Sequence, residues 1–274
     1  DRLRSRGLGD VYKRQLYKLN KFFMIRIIKI GGKLIENDAV LNGLCDELSA
    51  CYRDSVLVHG GGSMAGQLSA RLGIRTRMID GRRITGRETL EVAVMAYAGW
   101  ANKKLVAALQ VRNVNACGLS GCDQKVILAH KREVKEIDWG FVGDIDRVDT
   151  GVLAGLLHRQ VMPVISPITY DGAGQLLNTN ADSVAGAVAV ALSRIDDTEL
   201  IFCFDKPGVL LDVNDADSVI PVLDKEKYAG YLEQGAIHAG MIPKLDNAFK
   251  TIKAGVKSVR LTDPCHLDGG TVLR

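Results

Sequence analysis

The sequence lacks the features of a membrane or secreted protein. No apolar run reaches the roughly 18–20 residues that a membrane-spanning helix needs. The basic N-terminal stretch has neither the continuous apolar core nor the small-residue cleavage site of a secretory signal. We therefore expect no membrane partner and a cytoplasmic location.

The cysteines lack the spacing of a metal site. All six are scattered, with no C-x-x-C pair and no histidine at metal-ligand spacing. In a chain of 274 residues this arrangement is typical of reduced, mostly buried thiols in the cytosol. The sequence therefore predicts no metal held by protein side chains.

A large excess of either charge is also absent. The net charge is +4, and residues 1–23 contain four arginines and three lysines against two aspartates. The remainder is close to neutral, which argues against a nucleic-acid partner. Residues 1–23 have no clean hydrophobic period, and we interpret them as a non-native or disordered extension, with Met24 as the true start.

From Met24 onward, short apolar strands alternate with helical stretches. Strands are predicted in "MIRIIKI", "SVLVHG", "VMPVISPI", "ELIFCF" and "VKSVRL", and the intervening segments carry helical patterns. This alternation predicts an α/β fold, a three-layer αβα sandwich with a mostly parallel central sheet. We interpret residues 24–274 as a single domain with two lobes, about 24–170 and about 171–274.

Two further elements are predicted around residue 80. The segment "IRTRMIDGRRIT" has the pattern of a hairpin, with Asp80 and Gly81 in its tight turn. The segment Arg87–Asn113 is the longest helical pattern, with Tyr97 on its apolar face and Trp100 as additional apolar surface.

A lysine interrupts an apolar strand at "MIRIIKIGGKL". Lys29 precedes Gly31 and Gly32, and a lysine at a strand end often only extends into water. The alternative is that Lys29 points into a site whose floor is the glycine backbone.

The segment "HGGGS" follows a strand and opens a helix. Its glycines allow backbone N–H groups to approach an anion, although a tight strand-to-helix turn explains them equally well. Gly60, Gly62 and Ala65 also fit the dinucleotide pattern G-x-G-x-x-A, with Asp80 as the ribose-binding acid. That match is weak, because Asp80 falls in the hairpin turn. No Walker loop occurs in the chain.

Polar or charged residues mark the beginnings of two later helices. Asn178, Asn180 and Asp182 precede a small-residue helix, where one of them would suffice as a cap. Lys244 falls in the first turn of a helix, where it opposes the helix dipole, so an anion nearby would explain it.

These residues together resemble the amino acid kinase family. The resemblance extends from Met24 to the C-terminal "GGTVL" and rests on ten motifs in the family's order. They are "IIKIGGKL", "LVHGGGSMAGQL", "DGRRITGRETLEV", "NKKLV", "GLSGCDQ", "GFVGDI", "PVISPI", "NTNADSVAGAVA", "PGVL" and "GMIPKL".

The resemblance implies a role for each site residue. Lys29 and Lys244 would neutralise the transferring phosphoryl group, and Asp182 would orient them. The residues that bind the acyl-amino acid would be Gly61, Gly62, Arg83 and Asn178. The nucleotide and phosphate would contact Gly31, Gly32, Asp205, Lys206, Pro207, Gly208, Val209, Leu210, Ile237 and His238.

The resemblance also implies the reaction. ATP would transfer a phosphoryl group to the side-chain carboxylate of an N-acyl-L-glutamate, and N-acetyl-L-glutamate is the preferred candidate. Mg²⁺ would be held mainly by the phosphates of ATP. The reaction would be an early step of arginine biosynthesis. The N-terminal lobe would bind the acyl-amino acid and form a homodimer through the long helix, and the C-terminal lobe would bind the nucleotide. The alternatives are an N-succinylglutamate or acylated aminoadipate substrate, or another branch of the family that acts on UMP, carbamate, aspartate or glutamate. A non-catalytic regulator is a further alternative, and an NAD-dependent oxidoreductase is the least favoured.

Two positions depart from the family pattern. Phe204 stands where the nucleotide loop usually has Ser or Thr, and Arg82 stands where the residue before the substrate arginine is usually apolar. Because side chains alternate along a strand, we expect Arg82 to face away from Arg83. A twisted hairpin would instead bring it to the pocket rim, where a second cation suits an acyl group that ends in a carboxylate.

Overall fold

The computed structural model describes residues 24–79, 81–237 and 239–274. The extension predicted over residues 1–23 lies outside them. The strands are β1 (Ile25–Ile30), β2 (Ser55–His59), β3 (Arg77–Ile79), β4 (Arg82–Ile84), β5 (Ala116–Leu119), β6 (Ile127–Lys131), β7 (Gly143–Val148), β8 (Met162–Ile165), β9 (Ile168–Tyr170), β10 (Leu176–Asn178), β11 (Thr198–Cys203), β12 (Val222–Leu223), β13 (Ser258–Thr262) and β14 (Thr271–Leu273).

Nine α-helices lie between the strands of the described part of the chain. These are α1 (Gly32–Glu36), α2 (Asp38–Cys51), α3 (Gly62–Arg71), α4 (Arg87–Val94), α5 (Asn102–Gln110), α6 (Thr150–His158), α7 (Ala181–Leu192), α8 (Lys225–Glu233) and α9 (Ile242–Lys253). Short 3₁₀ turns lie at Tyr52–Asp54, Asp123–Lys125 and Ala239–Met241.

An eight-stranded sheet forms the middle of the molecule. Its order is β12-β14-β13-β11-β1-β2-β8-β5, and its neighbours are parallel except for β13 and β14. The mostly parallel sheet predicted from the sequence is therefore confirmed. The sheet contains strands from both sides of residue 170, the predicted boundary between the lobes, because β1 pairs with β11.

Helices cover both faces of this sheet, which confirms the three-layer architecture. One face of β1 packs in a core with α7 and α9, and the other packs with α2 and α5. Ile25, Ile27, Ile28 and Ile30 are all fully buried. Alternation along the strand puts Lys29 on the same face as Ile25 and Ile27, toward α7.

A second, four-stranded sheet, which the sequence did not lead us to expect, stands beside the first. Its order is β10-β9-β6-β7, and β6 and β7 are antiparallel with a register shift between Leu128 and Ala129. Single bridges join Thr85 to Gly140 and Val142 to Asn178. These bridges bring the segment after the β3–β4 hairpin next to the end of β10.

The long helix predicted over Arg87–Asn113 is interrupted. A π-helical segment, Met95–Ala101, separates α4 from α5, and α5 ends at Gln110. The wider turn of a π segment shifts the side-chain phase, and such segments are frequent near functional sites. Tyr97 lies within it, buried against the core, whereas Trp100 is 68% exposed. The sequence therefore predicted correctly that this segment is helical, but it did not predict the π-helical interruption.

Candidate active site

The carboxyl ends of β1 and β2 meet as two glycine loops. The strands are parallel neighbours, and Gly60 N–H donates to the carbonyl of Ile30 at 2.9 Å. A Cβ atom on Gly32 would lie 2.8 Å from the Gly61 backbone, and one on Gly61 would collide with the Tyr97 ring. Glycine at positions 32 and 61 is therefore required for the close packing of the two loops. The Tyr97 ring packs directly against Gly61 of the second loop.

His59 anchors the second loop from inside the core. Its Nδ1 hydrogen bonds to the Gly60 carbonyl at 2.8 Å, and Asn102 Nδ2 donates to its Nε2 at 3.1 Å. Asn102 Nδ2 also donates to the Val164 carbonyl, and Lys103 donates to its Oδ1, which fixes the amide orientation. Burial lowers the pKa of His59 to about 4, so the ring is neutral.

A first cavity of about 170 Å³, which we call the arginine cavity, opens in front of these loops. All four residues predicted to hold the acyl-amino acid line it. The lining comprises Gly60, Gly61, Gly62, Met78, Gly81, Arg82, Arg83, Tyr97, Arg132, Val142, Pro167, Asn178, Thr179, Asn180 and Ala181.

Arg83 is prepared for an anion in this cavity. Its Nη2 donates to the Gly62 carbonyl at 2.9 Å, which fixes the guanidinium beside the glycine loop. Its Nη1 is buried and, among the described residues, has no hydrogen-bond partner. A buried donor without a partner is costly, and a carboxylate would satisfy it with a charge-assisted hydrogen bond.

Asn178 is held in the same cavity by a buried network. Its Nδ2 donates to Thr85 Oγ1 at 2.9 Å, and Thr85 Oγ1 donates to the Arg83 carbonyl at 3.0 Å. Thr85 is fully buried, and no local signal in the sequence pointed to it. The network couples the orientation of Asn178 to the strand that carries Arg83.

Arg82 and Arg83 both line this cavity, as the alternative of a twisted hairpin predicted. The β3–β4 ribbon has only three residues in each strand, and two-stranded ribbons twist strongly, which weakens strict alternation. Arg132, also missed, contributes a third guanidinium. It forms a fork with Asp144, with Nη2 at 2.6 Å from Oδ1, and this contact lowers the pKa of Asp144.

A smaller cavity of about 80 Å³, the lysine cavity, contains the predicted catalytic residues. It is lined by Lys29, Asp182, Phe202, Cys203, Phe204, Lys244, Asn247 and Leu261. Lys29 Nζ lies 2.7 Å from Asp182 Oδ1. The lysine at the strand end therefore does not extend into water: its side chain is 17% exposed and ion-paired.

The polar cluster before α7 divides into distinct roles. Asn180 is the helix cap, because its side chain accepts from Ser183 N–H at 3.0 Å. Asn178 lines the arginine cavity, and Asp182 lines the lysine cavity. The sequence left a helix cap and a binding site as alternatives for this cluster. Within these five residues, Asn180 caps the helix, and Asn178 and Asp182 each line a cavity.

The largest of the three cavities, about 710 Å³, lies on the other side of Lys244. Five predicted nucleotide residues line it: Asp205, Lys206, Gly208, Val209 and Leu210. Pro207 and Ile237 are not among its lining residues, and Ile237 is buried in the core with α9. His238 lies outside the described residues, and Gly31 and Gly32 line none of the three cavities.

The described residues contain neither a metal-binding cluster nor a membrane-spanning helix. No group of three or more His, Cys, Asp or Glu side chains is arranged to hold a metal ion there. Within the same residues, no helix is long and apolar enough to cross a membrane.

Comparison with known proteins links the chain to one group of enzymes. The pattern of the amino acid kinase family matches residues 24–263. The acetylglutamate kinase of Bacteroides fragilis is 50% identical over 252 residues, covering 91% of this chain and 97% of the relative. That of Bacteroides thetaiotaomicron is 51% identical over 238 residues, covering 87% and 93%.

A solved structure gives the fold alone. The carbamate kinase from Giardia matches with a TM-score of 0.64 over 91% of this chain and 98% of that one. Only 13% of the residues are identical, so the match concerns architecture.

Proposed function

The chain belongs to the amino acid kinase family, and we propose that it phosphorylates the side-chain carboxylate of N-acetyl-L-glutamate with ATP in arginine biosynthesis. It is a kinase whose acceptor is a carboxyl group. The observation that carries the proposal is the order of the three cavities. Ala181 of the arginine cavity and Asp182 of the lysine cavity are consecutive, and the lysine and large cavities share Phe204 and Lys244. The lysines thus lie between the two binding sites.

The acceptor needs no general base, because its carboxylate is ionised near neutral pH. One of its oxygens attacks the γ-phosphorus of ATP while the bond to the bridging oxygen of the β-phosphate breaks, giving an acyl phosphate and ADP. The barrier is the approach of one anion to another. Positioning and preorganised positive charge therefore supply most of the acceleration.

In this proposal, the arginine cavity holds the acyl-amino acid. Arg83 Nη1, buried and unpartnered among the described residues, donates a hydrogen bond to the α-carboxylate. Asn178 contacts the same substrate. Gly61 and Gly62 lie at the N-terminal end of α3, where backbone N–H groups and the helix dipole favour an anion.

Lys29 and Lys244 stabilise the transferring phosphoryl group, and Asp182 orients Lys29 through its ion pair. Gly31 and Gly32 offer backbone donors beside Lys29. The large cavity accepts the adenosine along residues 205–210, with Ile237 and His238 as the closing segment. Mg²⁺ bound to the phosphates of ATP supplies further charge neutralisation.

Two further properties belong to the proposal. Met95 and Trp100 on the π segment are 50% and 68% exposed, which supports a homodimer that pairs these segments across a twofold axis. The six cysteines are free thiols, which supports a reducing, cytoplasmic location. The N-terminal lobe, about 24–170, would supply the dimer contact and Arg83, and the C-terminal lobe the nucleotide site.

Trapping of the product tests the reaction. The purified chain, MgATP and N-acetyl-L-glutamate are incubated with hydroxylamine, which converts an acyl phosphate to a hydroxamate with release of phosphate. The hydroxamate is then measured as its coloured iron(III) complex. We expect hydroxamate formation that requires both substrates and is stoichiometric with ADP. ADP release without hydroxamate would refute the proposal, and so would activity with free glutamate exceeding that with the acylated substrate.

A second candidate substrate is favoured by Arg82. Arg82 lines the arginine cavity together with Arg83 and Arg132. Arg132 forms an ion pair with Asp144, and the charge of Arg82 also helps to lower the pKa of that carboxylate. One carboxylate thus faces two arginines, and within the described residues Arg82 itself forms no ion pair. This added cation supports a dicarboxylic acyl group, such as that of N-succinyl-L-glutamate.

The two substrates are separated by kcat/KM in the wild type and in Arg82→Leu. A succinyl preference that disappears in the variant would establish the second candidate. An acetyl preference that the variant leaves unchanged would eliminate it. Arg147→Leu is the control, because this exposed β7 arginine lines none of the three cavities.

A further inference from the structure

Phe204 occupies the junction between two cavities. It follows β11 directly, and its N–H donates to the Thr262 carbonyl at 3.0 Å, so the backbone position is fixed by β13. The side chain is half-buried and packs against the core that contains α9. Its ring lines both the lysine cavity and the large cavity.

Lys244 lies over this ring. Its Nζ is 5.0 Å from the ring centroid, within the range of a cation–π interaction. Within the described residues, no carboxylate forms an ion pair with Lys244, whereas Lys29 is paired with Asp182. The two lysines of the lysine cavity are thus held by different means.

The difference has an electrostatic consequence. A carboxylate partner orients a lysine but cancels much of its charge and occupies N–H donors. An aromatic face attracts the ammonium through its quadrupole and adds no net charge. Lys244 therefore keeps its full positive charge toward phosphate oxygens that enter the junction. The position of Lys244 in the first turn of α9 makes such a restraint useful, because the helix dipole opposes a cation there.

We propose that Phe204 is a positioning residue that holds the Lys244 ammonium at the junction of the nucleotide and phosphoryl sites by a cation–π contact. This inference rests on the proposed function only in assigning phosphate to the junction. The ring acts through Lys244, so its removal should lower turnover more than it weakens binding of ATP.

Graded fluorination of the ring tests the interaction at nearly constant shape. Phenylalanines with one, two and three fluorines are incorporated at position 204, which weakens the quadrupole stepwise. We expect the logarithm of kcat to fall with each fluorine, while KM for ATP changes less. Phe204→Leu should lower kcat about 2- to 30-fold, the range of a cation–π contact, and Phe204→Tyr and Phe204→Trp should restore it. A kcat unaffected by fluorination would overturn the proposal.

A double-mutant cycle separates this role from a direct contact with adenine. In a Lys244→Ala background, replacing Phe204 by Leu should lower kcat no further, because the residue through which the ring acts is gone. Equal losses with and without Lys244 would refute the inference. A loss confined to KM for ATP, accompanied by a changed preference between ATP and GTP, would refute it as well.

A spectroscopic measurement on the wild-type chain is independent of turnover. A cation above a ring face experiences the ring current, so the Lys244 Hε resonances should lie upfield of other lysines, with Lys244→Arg providing the assignment. In Phe204→Leu they should return to the ordinary lysine position. Ordinary Lys244 shifts in the wild type would overturn the contact, whereas failure of the proposed reaction alone would leave this result intact.

Discussion

Lys29 Nζ lies 2.7 Å from Asp182 Oδ1 and joins the central strand to the first turn of α7. The Asp182 side chain is 54% exposed, and ion pairs with an exposed partner contribute little to stability. In the mechanism that we propose, the pair orients the charge of Lys29 at the site.

This relationship predicts a separation of activity from stability in Asp182→Asn. The variant loses the charge that orients Lys29, so kcat should fall about 10-fold or more. The melting temperature should change by only a few degrees, because the contribution to stability is small. Steady-state kinetics and calorimetry measure the two effects.

Asp146→Asn is the matched control. Asp146 also forms an exposed ion pair, at 2.6 Å with His130, and it lines none of the three cavities. It should keep wild-type kcat. If Asp182→Asn kept it as well, Asp182 would have no orienting role.

The lysines themselves give the second prediction. Lys29→Ala and Lys244→Ala should each lower kcat about 10²–10³-fold, the usual cost of one preorganised charge at a transition state, with smaller changes in KM. Lys104→Ala, which breaks an ion pair with Asp38, is the control and should retain turnover. Near-native turnover at saturating substrate in either site variant would remove that lysine from the mechanism.

Much of the lysine cavity could be predicted from the sequence because its signals are local. Lys29 interrupts an otherwise buried strand, and the polar cluster before α7 and Lys244 after a proline are each unusual on their own. Alternation along β1 even predicts the face on which Lys29 lies. The identity of α7 as the helix on that face depends on tertiary packing.

The arginine cavity was harder to predict because its walls come from distant segments. Arg132 lines it from just beyond β6 of the second sheet, which has no local signature. Thr85 does not line the cavity but holds Asn178, and a single bridge to Gly140 fixes its position. Tyr97 was assigned to an apolar face, but the π segment, not the helical period, determines its contact with Gly61. The position of Arg82 at this cavity depends on the geometry of a ribbon with three residues in each strand, which strict alternation does not describe.

Gly61→Ala gives a third prediction, on packing under the substrate loop. The added Cβ would collide with the Tyr97 ring, so the free energy of unfolding should fall by about 1–3 kcal/mol, the usual cost of overpacking. Urea denaturation measures the change. In a Tyr97→Leu background the same substitution should cost less, because the obstructing ring is absent.

Gly62→Ala is the matched control for this effect. Nothing lies within 4 Å of a Cβ built there, so its stability should stay near that of the wild type. Equal destabilisation by the two alanines would contradict the packing role assigned to Tyr97.

The proposed dimer gives a fourth prediction. Trp100→Glu places a charge in the exposed apolar surface of the π segment, so light scattering should shift from the mass of a dimer to that of a monomer. Val134→Glu alters another exposed apolar side chain, away from this helix, and should leave the dimer intact. A monomeric wild type, or a dimer unaffected by Trp100→Glu, would contradict the assembly.

The last prediction concerns pH and the buried His59. Its pKa is lowered by burial to about 4 in the folded chain, against an ordinary value of 6.5. The Asn102 Nδ2 donor at Nε2 reinforces the neutral form, since a protonated ring would set two donors against each other. Below about pH 6.5 the unfolded chain binds a proton that the folded chain does not. Stability should therefore fall as the pH falls from about 6.5 to about 4, by about 3 kcal/mol from this group.

Urea denaturation of the wild type and His59→Gln between pH 4 and 7.5 measures the effect, and the variant should show the shallower loss on acidification. His130→Gln is an informative contrast, because the hydrogen bond that its ring donates to Asp146 raises the pKa of His130. His130 stabilises the folded chain below the pKa that it has in the unfolded chain, and this stabilisation is lost as the pH rises. His130→Gln should therefore make the loss of stability on acidification steeper, the opposite of the effect of His59→Gln. If the loss on acidification were as steep in His59→Gln as in the wild type, His59 would not be the group that titrates.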